Sequence, residues 1–322
     1  MSPPASRSWG FWTEAKLAIL RSYLPSFLRA SKGRATEFVY LDAFAGEGHG
    51  TSRLTGEAFP GSARIALDVD VAGGFTKLRF FEQANKAAEL EQRLRADYPG
   101  RDIKVYGGDC NQTIATALAE LHPIRWAPTF AFIDPDGMEL AWDTLKQLAA
   151  HKLGYKKPGS GPEYKVELWL LFPTQGLIRM LALDDERLLP NHESAATRLF
   201  GTEAWRHVYA RRRAGRLDPA EAKEEYVNLM RWRLVHDLGY AKTHPFELKN
   251  TAGGTIYHMI FATDNAAGDR IMADIYTAAA RTIPAMQREA HDRKSGQIPF
   301  ELDDPAAAAT YEHAPPWEPA TS

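Results

Sequence analysis

The sequence predicts a doubly wound α/β fold with a mostly parallel sheet, and three observations carry that prediction. Apolar runs that read as strands alternate with helix-like segments five times between residues 37 and 172. Four successive runs end in an acid: Asp42, Glu82, Asp109 and Asp134. The first run, Phe38-Val39-Tyr40-Leu41-Asp42, opens into Ala43-Phe44-Ala45-Gly46-Glu47-Gly48, a turn whose glycines let a ligand approach the backbone.

The elements follow in order. Residues 1–11 are rich in Ser, Pro and Arg and predict a disordered N-terminus. Ile19, Leu20, Tyr23, Leu24, Phe27 and Leu28 recur at helical spacing. They predict an amphipathic helix over 13–31, with Thr13 as N-cap and Pro25 as a kink or restart. Strand one is 37–43. Residues 49–61, rich in Gly, Thr and Ser, predict a long loop before a short helix over 62–70. Strand two, Lys77–Phe81, ends at Glu82, and a helix over 84–97 stops at Tyr98-Pro99-Gly100. Strand three, 103–106, leads through Gly107-Gly108-Asp109 into a helix over 111–121. Strand four, Thr129–Ile133, ends in Asp134-Pro135-Asp136-Gly137 ahead of a helix over 139–151. Lys156–Gly161 predicts a mobile loop, and Val166–Phe172 is strand five. Residues 177–240 are charged and helical in pattern, an insertion expected on the substrate side. Two apolar runs, 244–249 and 255–263, flank Thr251-Ala252-Gly253-Gly254 and predict a hairpin. A helix over 266–280 follows, and Pro- and Ala-rich residues 303–322 predict a disordered tail. One domain over 12–302 is therefore expected.

Composition narrows the function classes. The 322 residues carry a net charge of −2, so any nucleic-acid surface must be local. One cysteine, Cys110, excludes an internal disulfide and a cysteine-built zinc site. The ten histidines show no ligand spacing, so no metal is expected. Lys16 and Arg21 interrupt the first apolar stretch, and no run approaches the roughly 20 apolar residues of a membrane span. The expected location is cytoplasmic.

In an open α/β sheet, ligands bind outside the carboxyl ends of the strands, where the four acids fall. Each acid alone reads equally as a turn or helix cap; the ordered set is the stronger signal. The turn Asp-x-Phe-x-Gly-x-Gly departs from the Gly-x-Gly-x-x-Gly of dinucleotide binders, and Glu82 lies further on than their ribose acid, about 20 residues after the glycines. It resembles motif I of S-adenosylmethionine-dependent methyltransferases. A carboxylate at Glu82 suits a ribose diol, Asp109 an adenine amino group, and Asp42 with its turn the methionine end. Asp134-Pro135-Asp136-Gly137 resembles motif IV of amino-methyltransferases, in which the acid and a proline carbonyl accept hydrogen bonds from an amine. Here Asp136 stands in place of the second proline and Gly137 in place of the aromatic residue. On its own the tetrapeptide is also an ordinary β-turn.

The order of motifs resembles the three-Cys-motif partner (TcmP) family of class I methyltransferase-like proteins. The matching segments are Thr13-Glu14-Ala15-Lys16-Leu17 with Tyr23-Leu24, Tyr40–Gly46, Phe81-Glu82, Gly108-Asp109, Phe132–Pro135, Phe172-Pro173, Gly176–Arg179 and Ile256–Ala262. The resemblance implies a Rossmann-like cofactor domain and a partner, a cysteine-rich iron–sulfur protein of radical S-adenosylmethionine type. The residues expected to hold the cofactor are Lys16, Asp42, Phe44, Gly46, Gly48, Glu82, Asp109 and Cys110. Asp134, Pro135 and Asp136 are expected to act on the acceptor, and the N-terminal region with Trp12 and Lys16 to fold over the methionine end. Trp12 reads equally as a residue packing its helix on the sheet.

Weaker signals remain. Phe172-Pro173-Thr174-Gln175-Gly176 could line the acceptor pocket, with Arg179 beyond it, or form an ordinary turn. Arg206, Arg211, Arg212, Arg213 and Arg216, then Arg231 and Arg233, interleaved with Trp205, Tyr209 and Trp232, could contact nucleic acid or form a solvated helix face. His258 and Cys110 read as a core histidine and a small apolar residue. The expected function is methyl transfer from S-adenosylmethionine to an amine or similar nucleophile, with a lean toward nucleic acid. Two alternatives stand: a non-catalytic nucleoside-binding subunit of the iron–sulfur partner, and a nicotinamide oxidoreductase, which the missing third glycine opposes.

Overall fold

The computed structural model describes residues 8–53, 55–152, 164–184, 188–295 and 310–320. The first half of the chain contains β1 (Ser8–Trp9), α1 (Phe11–Ser31), β2 (Val39–Asp42), β3 (His49–Ser52), β4 (Ala58–Pro60) and α2 (Ser62–Leu67). β5 (Lys77–Glu82), α3 (Ala84–Asp97), β6 (Ile103–Gly107), α4 (Cys110–Leu121), β7 (Thr129–Ile133) and α5 (Trp142–Ala150) complete it. The second half runs β8 (Glu167–Phe172), α6 (Thr174–Met180), α7 (Pro190–Phe200), α8 (Trp205–Arg213) and α9 (Pro219–His236). It closes with β9 (Lys242–Lys249), β10 (Thr255–Thr263) and α10 (Ala266–Ser295).

A seven-stranded sheet has the order β6-β5-β2-β7-β8-β10-β9. Its first five strands are parallel; β10 runs antiparallel to both β8 and β9. The fold is a Rossmann-like doubly wound sheet with a hairpin at one edge. The order reverses at β2, and that switch point opens the crevice in which such sheets bind ligands.

Alternation along the strands builds two cores. Val39, Leu41, Phe81, Ala131, Ile133, Leu168, Leu170 and Phe172 face α4, α5 and the helices α6–α9. Tyr40, Phe80, Phe130, Phe132, Trp169, Leu171, Met259 and Phe261 face α1, α2, α3 and α10. Both faces are covered, which is why these strands read as continuous apolar runs.

Several expectations are corrected. Residues 8–11 are ordered: Ser8–Trp9 pairs with β3, and α1 starts at Phe11. The N-cap is Gly10, not Thr13, and Thr13 is buried. α1 runs unbroken through Pro25, since the carbonyl that loses its partner belongs to exposed Arg21 and can reach water. Residues 49–61 are not a loop; β3 and β4 pair with each other and with β1 in a small second sheet. That sheet ties the start of α1 to the glycine turn, helped by Ser52 Oγ donating to Glu14 at 2.6 Å. The helices of 177–240 reach the carboxyl edge at Arg198 of α7, which donates to the Met138 carbonyl at 3.0 Å. They pack as a layer on one sheet face through Ala196, Phe200, Trp205 and Tyr226. The helix after β10 extends to Ser295.

Residues 310–320, expected to be disordered, are docked. Asn228 brackets the Trp317 backbone, accepting its N–H at 2.9 Å and donating to its carbonyl at 2.8 Å. Arg231 donates to the Ala314 carbonyl at 2.6 Å, and Tyr311 stacks among Phe246, Tyr276 and His313. The tail's aromatics and carbonyls thus offset the weak self-structuring of its Pro/Ala composition. Residues 1–7, 303–309 and 321–322 and the 156–161 loop lie outside the described residues, as do the expectations for them.

Candidate functional site

Sheet parity brings the site together. Tyr40 and Asp42 point to the α1 face of the sheet, and so do Phe132 and, two residues on, Asp134. Beyond the carboxyl ends of β2, β5, β6 and β7 lies a cavity of about 810 Å3. Of the eleven residues singled out in the sequence, ten line it: Lys16, Phe44, Gly46, Gly48, Glu82, Asp109, Cys110, Asp134, Pro135 and Asp136. Asp42 does not; it stands fully buried behind the wall.

The turn after β2 is held in a conformation that glycine favours: Gly46 has φ +61° and Gly48 φ +74°. Gly61 closes it from below, its N–H donating to the Gly48 carbonyl at 3.1 Å. Asp42 supports the turn from inside. Its Oδ2 accepts from the Tyr40 hydroxyl at 3.3 Å, while Oδ1 has no partner of ordinary geometry among the described residues. Burial pushes its carboxyl up to about 7; the Ser62 hydroxyl opposes this and the charge of Asp134 adds to it.

At the other end, Glu82 tips β5, its Oε1 accepting from the Gln83 N–H at 2.8 Å. Asp109 is exposed and caps α4, accepting from the Asn111 N–H at 2.9 Å. The plain capping role is therefore real, and it coexists with a place on the cavity wall. Cys110 is buried, and burial pushes its thiol up to about 12, so it stays a neutral thiol. Asn111 was missed in the sequence. Its amide donates to the Glu139 carbonyl (2.8 Å), and its Oδ1 accepts from the Ala141 N–H (2.9 Å) and Thr144 hydroxyl (2.7 Å). It thereby locks the loop after β7 to the start of α4.

The third wall comes from α1. Lys16 Nζ is ion-paired and hydrogen-bonded to Asp134 Oδ2 and lies 6.0 Å from the Phe132 ring centre. Lys16 is buried and Asp134 keeps about 20% of its side chain exposed. Pro135 is buried and Asp136 exposed. Trp12, one turn before Lys16, lines the cavity with Leu17, Leu171, Leu248 and Tyr257. Leu248 and Tyr257 come from the hairpin, and only sheet order could have placed them here. Arg198 of α7 also reaches the cavity.

Other candidates lie elsewhere. Gln175 and Arg179 do not line the cavity. His258 is a buried residue between Thr174 and Glu224, 3.5 Å from each. The arginine stretch is largely spent within the fold. Arg206 pairs with Glu193 at 2.7 Å and stacks on Trp205, Arg211 pairs with Glu225 at 3.1 Å, and Arg212 donates to the carbonyls of Ile178 and Leu181. Arg206 nonetheless keeps about 45% of its side chain exposed, and Arg213 and Arg216 are exposed. Among the described residues, no three His, Cys, Asp or Glu side chains group as metal ligands, and no helix is long and apolar enough to cross a membrane.

No family model and no curated protein matches this sequence. Among solved structures, one similar chain is protein LPL1258 of Legionella pneumophila, a DUF519 protein. It is 13% identical with a TM-score of 0.38, over 76% of this chain and 84% of that one. Another is a dimethyladenosine transferase from Plasmodium falciparum. It is 11% identical with a TM-score of 0.34, over 87% of this chain and 82% of that one. The fold assignment rests on the sheet order itself.

Proposed function

We propose that this protein transfers a methyl group from S-adenosylmethionine to an amine or similar nucleophile. The observation that carries the proposal is the continuous cavity that joins the glycine turn, Glu82 and Asp109 to Asp134. Its volume of about 810 Å3 falls within the range of small-molecule sites, about 300–1,000 Å3. The residues fit the cofactor's chemistry. Glu82 offers a carboxylate to a ribose diol, Asp109 an acceptor to an adenine amino group, and Gly46 and Gly48 a side-chain-free approach. Asp42 has a different role from the one its position in the motif suggests. Buried behind the turn, it holds the turn's shape and contributes an acceptor atom with no partner among the described residues.

When bound, the cofactor would supply an electrophilic methyl: a C–N bond to the acceptor would replace the S–C bond, whose electron pair would stay on sulfur, and the nitrogen's proton would leave to water. The protein's own part is orientation. Asp134 and the Pro135 carbonyl accept the amine's hydrogens, and Lys16 fixes the Asp134 carboxylate. Asp136, exposed at the same loop, would assist. The TcmP resemblance adds the iron–sulfur partner to the proposal, and with Arg211 and Arg212 paired inside the fold, a nucleic-acid contact on that stretch would fall to Arg206, Arg213 and Arg216.

Calorimetry with S-adenosylmethionine and with NAD tests the reading. Binding of the first, lost in Glu82→Ala, is the expected result; binding of NAD alone would overturn it. Formation of the demethylated cofactor with amine acceptors separates catalysis from the non-catalytic nucleoside-binding alternative.

A further inference from the structure

We propose that the acceptor is a neutral planar ring amine of nucleobase type, and that Trp12 is the surface on which it stacks. This inference rests on the methyl-transfer reading and names the substrate class of that same site. The loop after Asp134 offers no ring. Gly137 occupies the aromatic position, and its N–H is turned onto Glu139 Oε2 at 2.7 Å. An aromatic platform must therefore come from another element, and α1 provides one. Trp12 is one helical turn from Lys16, hence on the same helix face, and Lys16 is bound to Asp134.

The indole is fixed in place. A Cβ at Gly10 would collide with its six-membered ring, so the ring lies directly on the Gly10 backbone. Phe11 meets it edge-on, with centroids 6.0 Å apart. A rigid, half-exposed indole on a cavity wall is suited to stacking. Leu17, Leu171 and Leu248 add apolar wall, and Tyr257 enters from the start of β10.

Charge selects among amines. Asp134 Oδ2 is taken by Lys16, while Oδ1 carries no hydrogen bond from the described residues. One carboxylate oxygen and the Pro135 carbonyl together match the two hydrogens of an exocyclic amino group. A lysine-type ammonium would instead meet the Lys16 ammonium beside a carboxylate already neutralised. Asp136 and Glu139, the other acids of the loop, are exposed. A ring amine is neutral at pH 7 and brings the flat face that Trp12 can cover.

The test uses the full chain as wild type, Trp12→Phe and Trp12→Ala. Affinity for S-adenosylmethionine is measured first. Binding and methylation are then measured for adenosine, cytidine, uridine, Nα-acetyl-lysine amide and a short single-stranded oligonucleotide of adenine and cytosine. The expected result is turnover of an amino-bearing base but not of uridine. Trp12→Ala should weaken its binding about tenfold or more, Trp12→Phe by less, with cofactor affinity within about twofold in both. Preference for the oligonucleotide or for the free nucleoside supports the proposal and assigns a polymer or a small-molecule source. Preference for the lysine probe overturns it, as does cofactor affinity falling in parallel with acceptor affinity, or failure of both amino bases while the cofactor still binds. Absence of cofactor binding in the wild type would instead sink the methyl-transfer reading beneath it.

Discussion

Replacing Asp42 with Asn should stabilise the protein more at alkaline than at acid pH. Asp42 is fully buried, and burial raises its carboxyl from 3.8 to about 7. A raised folded-state value means that the folded protein holds the proton more tightly than the unfolded chain. The associated stability is complete below the unfolded value and is lost as pH rises through about 7. The whole displacement is worth about 4 kcal/mol at 1.36 kcal/mol per pH unit, of which about 3 kcal/mol is lost between pH 5 and pH 8. Asn is close to isosteric and carries no charge, so it escapes that loss. Urea unfolding of the wild type and Asp42→Asn at pH 5, 6, 7 and 8 reads the effect directly. The gap between the two should widen by about 3 kcal/mol in favour of Asn as pH rises. Glu167, raised by burial to about 6, titrates in the same direction but is present in both proteins and cancels. A gap that stays constant across this range would refute the claim that the Asp42 carboxyl is the strained group.

Two further outcomes follow from the same geometry. Gly48→Ala places a Cβ at φ +74°, 3.3 Å from Leu90 Cδ1. It should cost about 1–2 kcal/mol in urea unfolding and weaken S-adenosylmethionine binding, and an unchanged midpoint would count against the turn's geometry. Ending the chain at residue 309 removes the partners that buried Asn228 and Arg231 find in Trp317 and Ala314. A loss of about 2 kcal/mol and a lower thermal midpoint are expected, whereas an unchanged midpoint would show the docked tail to be passive.

The central strands were legible because both of their faces are covered. Val39–Asp42, Thr129–Ile133 and Glu167–Phe172 carry apolar side chains at nearly every position, and the acids that end the strands mark the carboxyl edge. β3 and β4 were not legible. Strands of four and three residues containing Gly, Thr, Ser and Pro have no alternation to read, and they exist only because β1 and the glycine turn border them. The helices of the insertion were visible in pattern, but their placement on a face depended on long-range packing of Phe200 and Trp205. Asn111 looked like any helix residue; its value lies in partners some 30 positions away. The tail misled through composition, because Pro and Ala outweighed the single anchors Tyr311 and Trp317.

Parity could have exposed one more relation. Asp42 and Asp134 both point to the α1 face, and α1 places a cation, Lys16, against only one of them. Asp42 therefore remains largely protonated below pH 7, burial being the main cause and the nearby charge of Asp134 adding to it. A cationic ligand entering the cavity on that face supplies what is missing, lowering the Asp42 value and releasing its proton. S-adenosylmethionine carries such charge at its sulfonium and ammonium. Its binding at pH 6 should then release a sizeable fraction of a proton, so that the calorimetric enthalpy scales with the ionisation enthalpy of the buffer. Asp42→Asn should abolish that scaling while the neutral-sulfur product, which keeps only the ammonium, shows less of it. An enthalpy independent of buffer in the wild type would show that the ligand's charge does not reach Asp42, and the buried acid would then serve the glycine turn alone.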